Sequence, residues 1–267
     1  MKKLFLLAGI FCCAGVRTLA ATSLTESTFT EIIHEANVVA AADKAVKPAV
    51  TNEVFRVPDL VRTGPASRVE MTAPDKTITR IGANTVFTFE PGERNIRMEK
   101  GSILFHAPAG AGGGTIKYHG TAAAVLGTTM LCAVMPDGRF KVLDLEGHVL
   151  VTLASGKAVT LNPGEMVIVY PDGNDSSVVM VFNLGRLVSR LLLVTGFSQT
   201  LSSMPLILAA VQLQDQQIAG GNLDNFASID VAGFGLDLVS QDGGLITPPT
   251  VLSTPDFTTV PMSPVHP

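Results

Sequence analysis

Tryptophan is absent from this chain and tyrosine occurs only twice. Flat aromatic platforms on which sugars or bases could stack are therefore scarce. Charge is thin as well, at 16% of residues, and acids outnumber bases 23 to 19. That balance suits neither a phosphate backbone nor an anionic lipid surface. Cysteine is almost missing: Cys12 and Cys13 lie close to the start, and Cys132 stands alone in the rest of the chain. A single thiol closes no internal disulfide, so the fold must stand on burial. Material for burial is ample, because 46% of the 267 residues are hydrophobic, and disorder of the whole chain is excluded.

The start reads as a secretory signal over residues 1–20. Lys2 and Lys3 precede an apolar run from Leu4 to Val16, and Thr18-Leu19-Ala20 offers small residues before a cut after Ala20. The run is too short to span a bilayer, which needs about 20 apolar residues. Phe11 and Cys12 are bulky where a lipid-attachment site wants small side chains, which disfavours lipidation. Loss of Lys2, Lys3 and Arg17 moves the formal net charge from −4 to −7. The expected location is the periplasm or the outside of the cell.

Residues 21–50 read as a lead-in. Ile32, Ile33, Ala36 and Val39 fall at near-helical spacing and predict a short helix over Phe29 to Ala42, with Lys47-Pro48 closing the segment. From Thr51 the period becomes two. Val69 and Met71 alternate with Arg68 and Glu70, Ile96 and Met98 with Arg97 and Glu99, and Val149 and Val151 with His148 and Thr152. Glycine turns recur about every ten residues. Between Thr128–Val134 and Phe140–Leu145, Pro136-Asp137-Gly138 is a tight turn: proline presets φ and glycine accepts a positive one. Residues 51–182 are therefore expected to form an all-β domain, a compact two-sheet sandwich or a short β-solenoid.

Helical periodicity returns over 183–219. Asn183 is a plausible N-cap, and Leu184, Leu187, Val188, Leu191 and Leu192 share a face. A second helix is expected over Pro205 to Ile218, with Gly220 at its stop. Residues 220–267 have the composition of a disordered tail, with no lysine or arginine and six prolines among the last twenty residues. Within it Phe234, Leu236 and Leu238 alternate, a pattern fit for strand addition to a partner's edge.

Chemistry-bearing residues are few. Gly110-Ala-Gly-Gly-Gly-Thr-Ile-Lys117 lacks the Gly-Lys-Ser/Thr ending of a phosphate loop and opens no helix, so a flexible hairpin loop is expected. If that hairpin joins adjacent strands, His106 falls opposite about Ile116 and His119 opposite about Ile103. His106, His119 and His148 then make no metal set. Asp144 and Glu146 would share one face of a strand and read as a solvated edge, not as a cleft-spanning acid pair. Cys132, in an apolar strand, reads as a small buried residue. No nucleophile, base and orienter can be named together. No catalytic, cofactor-binding or metal-binding residue is assigned.

Six stretches taken in order resemble the FecR domain family. They are Leu60-Val-Arg-Thr-Gly-Pro-Ala-Ser-Arg-Val-Glu-Met71, Ile78-Thr-Arg-Ile-Gly-Ala-Asn-Thr-Val-Phe87, Ile96-Arg-Met-Glu-Lys-Gly-Ser-Ile-Leu-Phe105, Thr121 to Thr128, Val142-Leu-Asp-Leu-Glu-Gly147 and Val159-Thr-Leu-Asn-Pro-Gly-Glu165. The resemblance covers about residues 50 to 170 and implies a periplasmic domain that responds to a ligand or a partner. Asp75-Lys76 stands where the family places Asp-Gly. Family members that restrain sigma factors carry a cytoplasmic helical domain and a membrane span ahead of this domain. Here only Met1 to Lys3 precede the apolar run, so direct signalling across the inner membrane is not expected. The expected function is an exported, non-enzymatic interaction or sensing module whose partner is an unknown envelope protein. A structural subunit of an envelope complex and a small-molecule or glycan binder are the alternatives.

Overall fold

The structure is a computed structural model, and it describes residues 24–221. The signal of residues 1–20 and nearly all of the 220–267 tail lie outside the described residues.

Two sheets lie face to face, antiparallel except where β9 runs parallel to β8, and one long strand belongs to both. The first sheet runs in the order β1 (Thr28–Ile33), β5 (Arg68–Thr72), β6 (Ile78–Ile81), the second half of β8 (Asn95–His106), β11 (Thr129–Val134), β12 (Phe140–Glu146), β15 (Glu165–Val169) and β16 (Met180–Val181). The second runs β3 (Val46–Pro48), β2 (Ala36–Val39), β4 (Leu60–Thr63), β7 (Val86–Phe89), the first half of β8, β9 (Gly114–Tyr118), β10 (Thr121–Val125), β13 (Val149–Thr152) and β14 (Ala158–Leu161). Strand β8 changes sheets at Gly101, where φ is +90° and a Cβ would collide with Thr85 Oγ1. Only glycine fits that corner without strain.

This topology corrects the expected hairpin at Gly110 to Gly114. Strand β9 does not fold back on the end of β8 but pairs in parallel with its beginning, Ile96 opposite Ile116. The glycine loop carries the chain from one sheet across to the other. His106 accordingly lies opposite Ile78 and Thr129, not Ile116.

The expected helix over Phe29 to Ala42 is also replaced by strands. β1 pairs with β5 and β2 with β4, while His34 turns the chain between them at φ +64°. Four β-branched residues (Ile32, Ile33, Val38, Val39) favour a pleated surface, and ladders supplied by the later strands decide between two periods that sequence spacing leaves close.

The main core fills the space between the sheets. Phe29, Phe55, Phe87 and Phe89 pack there in edge-to-face pairs, with Phe55 and Phe89 at 5.4 Å and Phe87 and Phe89 at 5.5 Å. A second apolar layer covers the outer face of the first sheet. Leu104, Leu131, Leu143 and Leu145 point away from the first core and meet Phe182, Leu187, Leu191 and Leu193. Strands β11 and β12 are thus buried on both faces, which explains the apolar run Met130 to Val134 of β11, while β12 carries Lys141, Asp144 and Glu146 into the buried layers. Cys132 falls on the inter-sheet side and is fully buried.

The covering layer contains α1 (Leu184–Arg190), α2 (Leu192–Thr195) and α3 (Met204–Ala219). Asn183 caps α1, its Oδ1 accepting from Arg186 N at 2.7 Å. The single helix expected to run through Leu192 breaks at Leu191, whose backbone is extended, so three helices follow the sheets where two were expected. None of the described helices is long and apolar enough to cross a membrane.

Candidate functional site

The sequence-selected residues stay apart. His106 is buried on β8, its Nδ1 3.0 Å from Thr129 Oγ1, and Thr129 in turn donates to Ser203 Oγ at 2.9 Å. Burial lowers the affinity of His106 for a proton. His119 sits in the β9–β10 turn at φ +43°, stacked on Tyr118 with ring centroids 4.1 Å apart. His148 occupies the β12–β13 turn and is exposed. Among the described residues no group of three or more His, Cys, Asp or Glu is placed to hold a metal. The Cys132 thiol is pushed far up by burial, so it is protonated and a poor nucleophile at neutral pH.

Asp144 and Glu146 correct the expectation of a solvated edge. Both are buried, Asp144 completely. A register shift in the β11–β12 pair sets Asp144 opposite Met130 and Glu146 opposite Thr129. Met130 belongs to the core between the sheets, whereas Thr129 reaches the helices through Ser203. The shift therefore sends the two carboxyls to different faces. One oxygen on each, Asp144 Oδ2 and Glu146 Oε2, has no hydrogen-bond partner. Burial pushes the Asp144 pKa up to about 8, against the Glu146 amide that Oδ1 accepts at 2.9 Å; the charges of Glu146 and Glu165 push it up further. Burial raises Glu146 as well, opposed by its bonds with Thr129.

The residue that organises the outer layer was not singled out by the sequence. Arg80, fully buried on β6, pairs with Glu70 on β5 at 2.8 Å. Its Nη1 donates to Leu193 O at 3.1 Å and Val194 O at 3.0 Å, and its Nη2 donates to Gln199 O. Phe197 covers the guanidinium, ring centroid 4.4 Å from Cζ. A few residues along the same seam, Glu31 on β1 accepts from Ser198 N at 3.0 Å and from Ser198 Oγ at 2.6 Å. The planar fork of arginine matches several carbonyls at once, and an internal ion pair offsets its desolvation. An arginine within Ile78-Thr-Arg-Ile81, a strand with no other charge, was the available signal.

The surface feature that remains is α3. Apolar residues lie all round it, yet of its sixteen residues only Ile207 and Gln214 are buried. Leu206, Leu208 and Leu213 are each about half exposed, at 57%, 49% and 58%. Gln214 fixes the helix to the sheet, donating from Nε2 to Phe182 O at 2.8 Å and accepting from Leu184 N at 2.8 Å. Beside it runs a groove of about 750 Å³, walled by Ala210, Leu213 and Gln217 on α3 and by Asn162, Glu165 and Val181 on the sheet side. A helix with apolar residues all round normally has a partner.

Residues 59–158 match the family described as FecR protein. Two crystal structures described as a "putative anti-sigma factor" from Parabacteroides distasonis, at 1.65 and 2.50 Å, are similar to the chain at 19% identity, with a TM-score of 0.42. The match covers 48% of this chain and 62% of theirs, so the chain spans less than two thirds of their length. No curated protein matches the chain.

Proposed function

We propose that this chain, whose residues 59–158 form a FecR domain, is an exported, non-enzymatic interaction module that serves sensing or regulation in the cell envelope. The family supports the regulatory class. Export rests on the signal pattern of residues 1–20. The observation that carries the partner-binding reading is the apolar N-terminal half of α3. Leu206 and Leu208 stand at the surface of a layer that Arg80 and Glu31 lock to the sandwich. Such a helix presents leucines on a rigid base, and the order of its seat is fixed before any partner arrives.

Crosslinking with mass spectrometry on the native envelope tests this. A substoichiometric contact between α3 and a membrane-spanning regulator is the expected result. A stable stoichiometric complex would instead make the chain a structural subunit. Stabilisation by glycans or siderophores in a thermal-shift assay, with no protein crosslink, would replace both with ligand binding, because a ligand taken only by the native state raises its stability.

A further inference from the structure

We propose that His106, Thr129, Glu146 and Ser203 form a latch between the first sheet and the start of α3, and that a charge on either His106 or Glu146 releases it. The inference rests on the reading of α3 as a contact surface and names what regulates that surface. Three of the four residues stand in one row across the sheet: Thr129 on β11 lies opposite His106 on β8 and opposite Glu146 on β12. His106 Nδ1 is 3.0 Å from Thr129 Oγ1, and Glu146 is hydrogen-bonded to the side chain and the backbone of Thr129. From the helical layer, Ser203 Oγ accepts from Thr129 Oγ1 at 2.9 Å. All four residues are buried. Ser203 is also the N-cap of α3, and its carbonyl accepts from Leu206 N at 2.9 Å and from Ile207 N at 3.0 Å. A serine hydroxyl at that position ordinarily bonds the first amides of its own helix. Here it is turned to Thr129 instead. Opening the latch returns the hydroxyl to the helix, which offsets part of the bond lost with the sheet.

The layer that covers the cluster brings no charge of its own: residues 191–214 contain no aspartate, glutamate, histidine, lysine or arginine. The sandwich supplies groups that are engaged or placed elsewhere. Arg80 and Glu70 form an internal ion pair, Glu31 on β1 is bonded to Ser198, and Asp144 points to the other face of β12. Arg68 lies on β5, Lys141 near the start of β12, Glu165 at the start of β15 and His148 in an exposed turn. Arg186 and Arg190 belong to α1, and Asp215 to the second half of α3. Burial lowers the proton affinity of His106, against a bond to the Thr128 backbone, and raises that of Glu146. The closed latch therefore favours the uncharged form of each, and the two act with opposite signs. The contribution of His106 is complete above the ordinary imidazole value of 6.5 and is lost as pH falls. That of Glu146 is complete below the ordinary glutamate value of 4.5 and is lost as pH rises. Each changes the opening constant by at most about tenfold per pH unit. Once open, the helix start no longer holds Leu206 and Leu208 on a rigid base.

Amide hydrogen exchange on the isolated full-length chain decides the latch with no partner present, whereas crosslinking in the envelope decides the contact reading, so the failure of one does not carry the other with it. Opening over residues 206–210 is compared at pH 5 and pH 7, after correction for the intrinsic pH dependence of exchange. In Glu146→Gln only His106 titrates within the latch, and opening should be at least about threefold more frequent at pH 5 than at pH 7. In His106→Gln the order should reverse. Slopes of the same sign, or a flat profile in either variant, would overturn the proposal. The amides of β11 show whether each variant keeps its sandwich. Where one does not, an NMR titration of the His106 ring in the unsubstituted chain decides instead. Protonation below the ordinary imidazole range, at the pH where residues 206–210 open, is the expected result. Protonation with no change over 206–210 would refute the latch.

Discussion

The guanidinium of Arg80 lies 2.8 Å from the carboxylate of Glu70, and both side chains are withdrawn from solvent, at 0% and 6% exposure. The pair sits on the outer face of the first sheet, and the remaining donors of Arg80 take carbonyl oxygens of Leu193, Val194 and Gln199. One buried cation thus joins the β-sandwich to the helices that cover it.

Arg80→Ala leaves the Glu70 charge buried without its partner and frees three carbonyls. It should cost about 3–5 kcal/mol in urea unfolding. Amide exchange over Leu191–Gln199 should rise before that of β11. Arg80→Met combined with Glu70→Leu removes both charges and should recover much of the loss. If the single and double variants are equally destabilised, the ion pair is not what holds the layer.

Asp144 makes stability depend on pH in a defined direction. Its folded pKa of about 8 lies above the ordinary aspartate value of 3.8, so the native state holds a proton that the unfolded chain releases. The corresponding stability is complete below about pH 4 and is lost as pH rises through 8, with a slope of at most about 1.4 kcal/mol per pH unit. Glu146 is raised as well and adds in the same sense. Urea midpoints should therefore fall from pH 5 to pH 8, and Asp144→Asn should flatten the fall and be the more stable chain at pH 8. An unchanged slope in that variant would clear Asp144 of the effect.

Lys76 holds φ at +70° in the turn between β5 and β6, a backbone region that favours glycine. A side chain in that conformation costs about 1–2 kcal/mol, part of which the looser unfolded state of a glycine chain cancels. Lys76→Gly should therefore raise stability by about 0.5–1 kcal/mol in thermal or urea unfolding. A loss would show that the lysine side chain makes a contact outweighing the strain.

The alternating strands from Leu60 to Val169 and the turn at Pro136-Asp137-Gly138 were legible because their patterns are local. Gly138 has φ +83°, and its amide bonds Met135 O at 2.9 Å. Residues 29–42 were misread because Ile32, Ile33, Ala36 and Val39 fit a helical face and a pair of strands almost equally. The deciding hydrogen bonds come from β5 and β4, which lie far along the chain. Asp144 and Glu146 were misplaced for a similar reason: one shifted register at Thr129, invisible in strict alternation, puts both inside and on different faces. The role of Arg80 was hidden because its acceptors are backbone carbonyls more than a hundred residues away. The helix over Pro205 to Ile218 was expected, but only its placement shows that Leu206, Leu208 and Leu213 face solvent.

Contact through α3 is tested most directly by a photocrosslinking residue at Leu208 in the full-length chain, expressed in its own envelope. Val46, 60% exposed on β3 of the other sheet, is the matched control position. A discrete crosslinked protein is expected from position 208 and none of it from position 46. No crosslink at 208, or the same products from both positions, would contradict it.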